Sequence, residues 1–170
     1  MAIEIVCILL LVLFDQYTKR LAVIHLMDKP AFELIPGILE FYFLPGGNTG
    51  AAWGMLSGHQ LFFILVSVVI VLAILFMLIR LPAEGKYGAL RVLLVFIAAG
   101  GIGNMIDRAV RQSVIDFIYI KAINFPIFNV ADMYVSCAIV ILVLLFIFKY
   151  KDEDLKEMEG YLRIKKRNAQ

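Results

Sequence analysis

From Leu61 to Ile79 the chain carries a single polar side chain, Ser67, before Arg80-Leu81-Pro82 closes the run. A helix needs about 20 such residues to cross the hydrocarbon core of a bilayer. Three more hydrophobic segments follow the same logic, at about 2–27, 89–108 and 130–148. The hydrophobic share of 62% and mean hydropathy of +0.91 exceed those of soluble domains, in which about half of the residues are apolar. The sequence therefore predicts one integral membrane domain over residues 1–170, membrane α-helical, with four transmembrane helices. A net charge of +2, with no basic patch interleaved with aromatics, excludes a nucleic-acid partner. Cys7 and Cys137 lie inside apolar segments without CxxC spacing and read as two buried thiols.

The first segment is interrupted by DQYTKR at Asp15–Arg20. A secretory signal peptide is the rival reading, against which stand Glu4, the missing basic start and the lack of an A-x-A-like cleavage site. If the helix continues, Asp15 and Lys19 form an i, i+4 pair with the acid first, and the pairing lets both charges persist near a membrane boundary. A solvated helix end with snorkelling Lys19 and Arg20 is the alternative.

At about 28–58 the pattern changes. AFELI, a Pro36-Gly37 turn and ILEFYFL carry β-branched and aromatic residues in place of a helical stripe, and predict a small β-sheet element on the outer membrane face. Pro45-Gly46-Gly47 closes it and leads into NTGAAWG at Asn48–Gly54, where small residues let backbone approach a ligand and Trp53 suits a headgroup-level anchor. A Gly-rich linker accounts for that stretch almost equally well. In the third segment Ala98, Ala99, Gly100, Gly101 and Gly103 form a small-residue face, which in lipid means close helix packing.

Arg80, Lys86, Arg91 and the basic residues of the tail at 149–170 lie on one side of a four-span chain. The positive-inside tendency then puts both termini in the cytoplasm and gathers DQYTKR, the sheet segment and residues 104–132 at the outer face. The tail itself reads as a solvated or headgroup-associated segment outside the chemistry.

Polar residues concentrate between Gly100 and Ser136. On a continuing helix Gly100, Asn104, Asp107 and Arg111 share one stripe, and Asn129, Asp132 and Ser136 repeat the pattern on the next segment. Asp116 stands between them in the short apolar run Val114–Ile118. No dense metal-ligand spacing, nucleophile elbow or P-loop is present, and His25 and His59 stand alone as interfacial residues, so neither a metal nor a cofactor is expected. Two carboxylates about 3 Å apart hold one proton between them, so that the charged one can activate water while the protonated one hydrogen-bonds a scissile carbonyl. Intramembrane acids also serve ion pathways, proton relays and structural pairing with Arg108 or Lys19. A small ion- or proton-coupled carrier and a non-catalytic scaffold therefore remain alternatives on the residues alone.

Taken together, DQYTK at Asp15–Lys19, NTGAAWG at Asn48–Gly54, GGIGNMIDR at Gly100–Arg108, VIDF at Val114–Phe117 and FNVAD at Phe128–Asp132 resemble the signal peptidase II family, the prolipoprotein signal peptidases. The blocks stand in the family's order over about residues 3–148. The resemblance implies a bacterial intramembrane aspartic protease that cuts prolipoproteins just before the diacylglyceryl-modified cysteine. It implies that Asp116 and Asp132 are the catalytic acids and that Asn48 and Arg108 hold the substrate. Asp15, Lys19, Asn104 and Asn129 would brace the site, Asp107 would be structural, and Gly50 and Ala131 would complete the supporting set. It further implies a multi-pass monomer of the bacterial inner membrane, in contact with membrane lipid and diacylglyceryl-modified prolipoproteins, with its active site near the outer face. Trp53 stands where many members carry Phe, and Gln112-Ser113 where many carry glycine.

Overall fold

A computed structural model describes residues 1–50 and 59–163. The stretch at 51–58, with Trp53, and the end of the tail lie outside the described residues. Among the described residues there are five α-helices: α1 (Ala2–Leu26), α2 (Gln60–Arg80), α3 (Gly88–Arg111), α4 (Val130–Phe148) and α5 (Asp152–Leu162). Among the described residues three stretches are long and apolar enough to cross a membrane: Gln60–Arg80, Gly85–Arg111 and Val130–Phe148. The remaining long helix, α1, has 25 residues, about 37 Å of helix, and its Asp15 and Lys19 are turned inward. Its buried residues are Ile8, Val12, Asp15, Lys19 and Ala22, one stripe at helical spacing, whereas Leu10, Leu13, Tyr17 and Ile24 are exposed. Polar atoms inside and aliphatic groups outside is the arrangement that suits a hydrocarbon solvent. The DQYTKR interruption therefore does not break the helix.

The helix α3 is the hub, packing against α1, α2 and α4. The glycines of its small-residue face make this possible. A Cβ on Gly100 would meet the Ala131 carbonyl oxygen at 2.5 Å and Val135 Cγ2 at 2.6 Å, and one on Gly103 would meet Asp15 Oδ2 at 2.5 Å. At the other end of the bundle, buried Arg91 ties three helices together: its guanidinium binds Glu4 of α1 and donates to the Leu78 and Leu81 carbonyls at 2.7 and 2.6 Å, satisfying the C-terminus of α2.

A three-stranded antiparallel sheet, in the order β1 (Phe32–Ile35), β2 (Leu39–Phe41), β3 (Ile118–Ile120), sits at the end of the bundle where α1 and α3 finish. Two of its strands come from the expected segment. The third comes from the stretch between α3 and α4, because Leu39, Glu40 and Phe41 pair with Ile120, Tyr119 and Ile118.

Two sequence expectations need correction. Cys7 and Cys137 are exposed: in a membrane chain an apolar neighbourhood in sequence marks lipid-facing positions as readily as protein interior. The tail is not merely a solvated segment. It folds as α5, with Leu155, Met158 and Leu162 packed on the core at the end opposite the sheet. Lys86 pairs with Asp154 and Glu157 at 2.6 Å, the Tyr87 hydroxyl donates to the Asp154 carbonyl at 2.8 Å, and Arg80 donates to the Tyr161 and Arg163 carbonyls at 2.7 Å.

Gln112 ends α3 in the left-handed region, at φ 59°, a conformation that glycine adopts without a Cβ penalty. Its side chain is exposed, so Gln112→Gly should stabilise the protein by about 0.5–1 kcal/mol. A higher melting temperature of the purified variant in detergent is the expected result; a lower one would show that this turn is held by something other than its backbone.

Candidate active site

Asp116 owes its position to pairing on both sides of its backbone. On one side Val114 and Asn48 exchange two hydrogen bonds of 2.8 Å, and the Phe117 carbonyl accepts from the Tyr42 N–H at 2.9 Å. On the other, the Phe117 and Ile118 N–H groups donate to the Phe128 carbonyl at 3.0 and 2.8 Å. The segment cannot shift register without losing both edges, so its one carboxylate is aimed into the bundle.

Asp132 is set by helix capping. Asn129 is the N-cap of α4 and Asp132 its third residue, and they form a capping box: Asn129 Oδ1 accepts from the Asp132 N–H at 3.0 Å while Asp132 Oδ2 accepts from the Asn129 N–H at 3.1 Å. The same Asn129 side chain, fully buried, donates from Nδ2 to Asp116 Oδ1 at 2.7 Å and to Asn104 Oδ1 at 3.1 Å. One amide thus joins the two acids. Asn104 of α3 donates to Asp132 Oδ1 at 2.7 Å, and Asn48 donates to Asp116 Oδ2 at 2.8 Å. Every carboxylate oxygen of the pair has a donor.

Beneath this layer lies a buried ionic cluster. Lys19 Nζ touches Asp15 Oδ2 at 2.9 Å, Asp107 Oδ2 at 2.8 Å and Asn104 Oδ1 at 2.9 Å, with Lys19 1% exposed and Asp15 0%. Asp15 Oδ1 accepts from the N–H of Ala131, itself fully buried, at 2.9 Å, which ties α1 to the first turn of α4. Gln16, not singled out from the sequence, donates to Asp15, Asp107 and the Gly103 carbonyl at 3.1–3.3 Å. Its signal was its place inside DQYTK, one residue from a buried acid.

Asp116 and Asp132 line one cavity of about 680 Å³ with Asn48, Gly50, Asn104 and Arg108, walled by Phe63, Met133 and the run Phe125–Phe128. Arg108 makes no ion pair with either acid among the described residues. Its guanidinium lies over the Phe63 ring at 4.9 Å and donates to the Gly50 carbonyl at 3.3 Å. Burial pushes the Asp116 carboxyl up to about 7, and the negative charge of Asp132 adds to the effect, against the opposing amide donors of Asn48 and Asn129. A carboxyl that keeps its proton near neutrality, beside a second acid held by two donors, can pass protons in both directions. Among the described residues no group of three or more His, Cys, Asp or Glu is placed to hold a metal ion.

The family model described as Signal peptidase (SPase) II matches residues 7–148. A lipoprotein signal peptidase of Bacillus subtilis (strain 168) is 39% identical over 153 residues, covering 89% of this chain and 95% of its own length. One from Listeria monocytogenes serotype 4b (strain CLIP80459) is 39% identical over 151 residues, covering 87% and 96%. A solved structure described as a bacterial membrane enzyme, determined by the in meso method at 2.3 Å resolution, superposes with a TM-score of 0.76 at 31% identity, over 89% of this chain and 93% of that one. The fold described above is therefore shared with a bacterial membrane enzyme, and the chain belongs to the signal peptidase II family, a family of peptidases.

Proposed function

We propose that Asp116 and Asp132 act as an aspartic dyad that hydrolyses prolipoproteins on the N-terminal side of the diacylglyceryl-modified cysteine. The observation that carries this reading is that two acids from separate stretches of chain line one cavity and share Asn129 as a ligand. Asp132 takes a proton from water as the oxygen attacks the scissile carbonyl, and Asp116 gives its proton to the carbonyl oxygen. As the tetrahedral diol collapses the peptide C–N bond breaks, one proton returns to Asp116 and the other passes to the leaving nitrogen. Asn48 and Arg108, with the Gly50 carbonyl between them, are placed to receive the substrate backbone. Asp15, Lys19, Asn104, Asp107, Asn129 and Ala131 keep the acids in register.

The sheet end faces the outside of the bacterial inner membrane, with both termini cytoplasmic and the monomer as the working unit. A cavity at that depth lets the acyl chains stay in lipid; drawing them out would cost about 0.8 kcal/mol per methylene. In a gel-mobility assay the purified enzyme should process a diacylglyceryl-modified prolipoprotein and leave the unmodified precursor intact, with the lipidated fragment starting at the modified cysteine. Equal cleavage of both precursors would sink this substrate assignment. Loss of activity in EDTA, restored by zinc, would replace the dyad mechanism.

The protonation of Asp116 gives a pH signature. Turnover should fall as pH rises through about 7, where Asp116 loses its proton. Stability follows the same group: a folded-state value raised from 3.8 to about 7 contributes stability fully present below 3.8 and lost as pH rises through 7. The melting temperature of the wild type should therefore decline between pH 3.8 and about 7, with a flatter profile in Asp116→Asn. A rate that keeps rising above pH 9 would contradict the assignment.

A further inference from the structure

A second cavity, of about 530 Å³, lies apart from the catalytic one, where the last turns of α1 meet the sheet. Leu21, Ala22 and Leu26 form its helical wall, and Phe32, Phe41 and Phe117 its sheet wall. Polar groups are confined to Thr18, His25 and Lys29. The Thr18 hydroxyl is already spent on the Asp15 carbonyl at 2.8 Å. Lys29 Nζ donates to the Ile24 carbonyl at 3.2 Å, which holds its ammonium beside the end of α1 and leaves its other protons available. The nearby acids in sequence, Asp28 and Glu33, are not among the lining residues.

Phe32 of the lining is itself 57% exposed, and the elements that form the cavity carry further exposed apolar side chains, Ile24 of α1 at 54% and Leu34 of β1 at 50%. A dry trough with a basic rim, opening into a lipid-facing surface at the boundary, has the chemistry of a hydrocarbon chain that carries an anion at its end.

We propose that this cavity binds one acyl chain of an anionic phospholipid, with the phosphate held by Lys29 and His25. The site adjoins the catalytic loop through Phe117, which follows Asp116 and lies 6.2 Å from the Phe41 ring. A seated chain therefore bears on the segment that presents Asp116. Binding itself requires nothing of the dyad.

The test is photolabelling of the full chain in phosphatidylcholine nanodiscs, with trace phosphatidylglycerol carrying a diazirine in one acyl chain. Cross-links should map to 21–26 and 32–41, and excess unlabelled phosphatidylglycerol should compete whereas dioleoylglycerol should not. Lys29→Glu should reduce labelling there by about tenfold, and Ala22→Phe, which fills the trough, should abolish it. Should Ala22→Phe fail to fold, the surface change Lys29→Glu still decides. Equal competition by the neutral lipid, even labelling of all lipid-facing helices, or undiminished labelling in Lys29→Glu would each overturn the proposal.

Discussion

Asp116→Asn and Asp132→Asn are each expected to lower prolipoprotein processing by roughly 10³-fold while leaving an inserted, folded protein. Asparagine keeps the shape of the side chain but cannot take up or release the proton. Its amide nitrogen also has no good place to go. Both oxygens of Asp116 accept from amide donors, Asn48 Nδ2 at 2.8 Å and Asn129 Nδ2 at 2.7 Å, so one of these would face another donor. At position 132 the conflict is with Asn104 Nδ2 or the Asn129 N–H. A single mismatched buried pair costs about 1–3 kcal/mol, too little to unfold the chain and far too little to explain a thousandfold loss by population. The measurement is therefore double: turnover in the gel-mobility assay, and melting temperature with retention of uncleaved substrate. Turnover within tenfold of wild type in either variant would remove that residue from the chemistry. Loss of fold in both would leave Asp116→Glu to decide, because a displaced but titratable carboxyl should restore some turnover if proton transfer is what the position supplies.

Sequence patterns exposed some of this site and hid the rest for identifiable reasons. The i, i+4 spacing of Asp15 and Lys19 foretold an ion pair, found at 2.9 Å, because helix geometry alone brings those side chains together. The stripe expected of Asn129, Asp132 and Ser136 is a capping box at its start, because Asn129 stands just outside α4 as its N-cap. What Asn129 does across the site was not legible: its contact with Asp116 spans two elements whose relation depends on the Ile118–Phe128 bridge. Likewise β3 could not be assigned from Val114–Ile118, since its partner lies in β2 about 80 positions earlier and nothing local specifies it. The Asn48 donation to Asp116 was not legible either, because it follows from the backbone bridge between Asn48 and Val114. The docking of α5 was missed because its apolar face is narrow and interleaved with charge. The exposure of Cys7 and Cys137 was missed because hydrocarbon, unlike water, welcomes apolar groups on the outside.

Lys19→Met is expected to be the most damaging change outside the dyad. It strips the cation from a cluster in which Asp15 and Asp107 are 0% and 1% exposed, and an uncompensated buried charge costs about 3–5 kcal/mol. That corresponds to a melting temperature lower by on the order of 10 °C. A second effect falls on catalysis. Lys19 Nζ on Asn104 Oδ1 at 2.9 Å forces the Asn104 amide to present its Nδ2 to Asp132, and the same Oδ1 receives Asn129 Nδ2, which holds Asp116. Stability and orientation can be separated by neutralising the whole cluster in Lys19→Met/Asp15→Asn/Asp107→Asn. With no orphaned charge left, much of the lost stability should return, as replacing a buried ionic cluster with neutral groups is often nearly neutral for folding. Turnover should stay depressed, through kcat more than KM, because the Asn104 amide then keeps only one of the two donors that orient it, Asn129 Nδ2. Full recovery of kcat along with stability would reduce Lys19 to a structural counter-ion, and no loss of stability in Lys19→Met would mean that this ion cluster does not hold the bundle together.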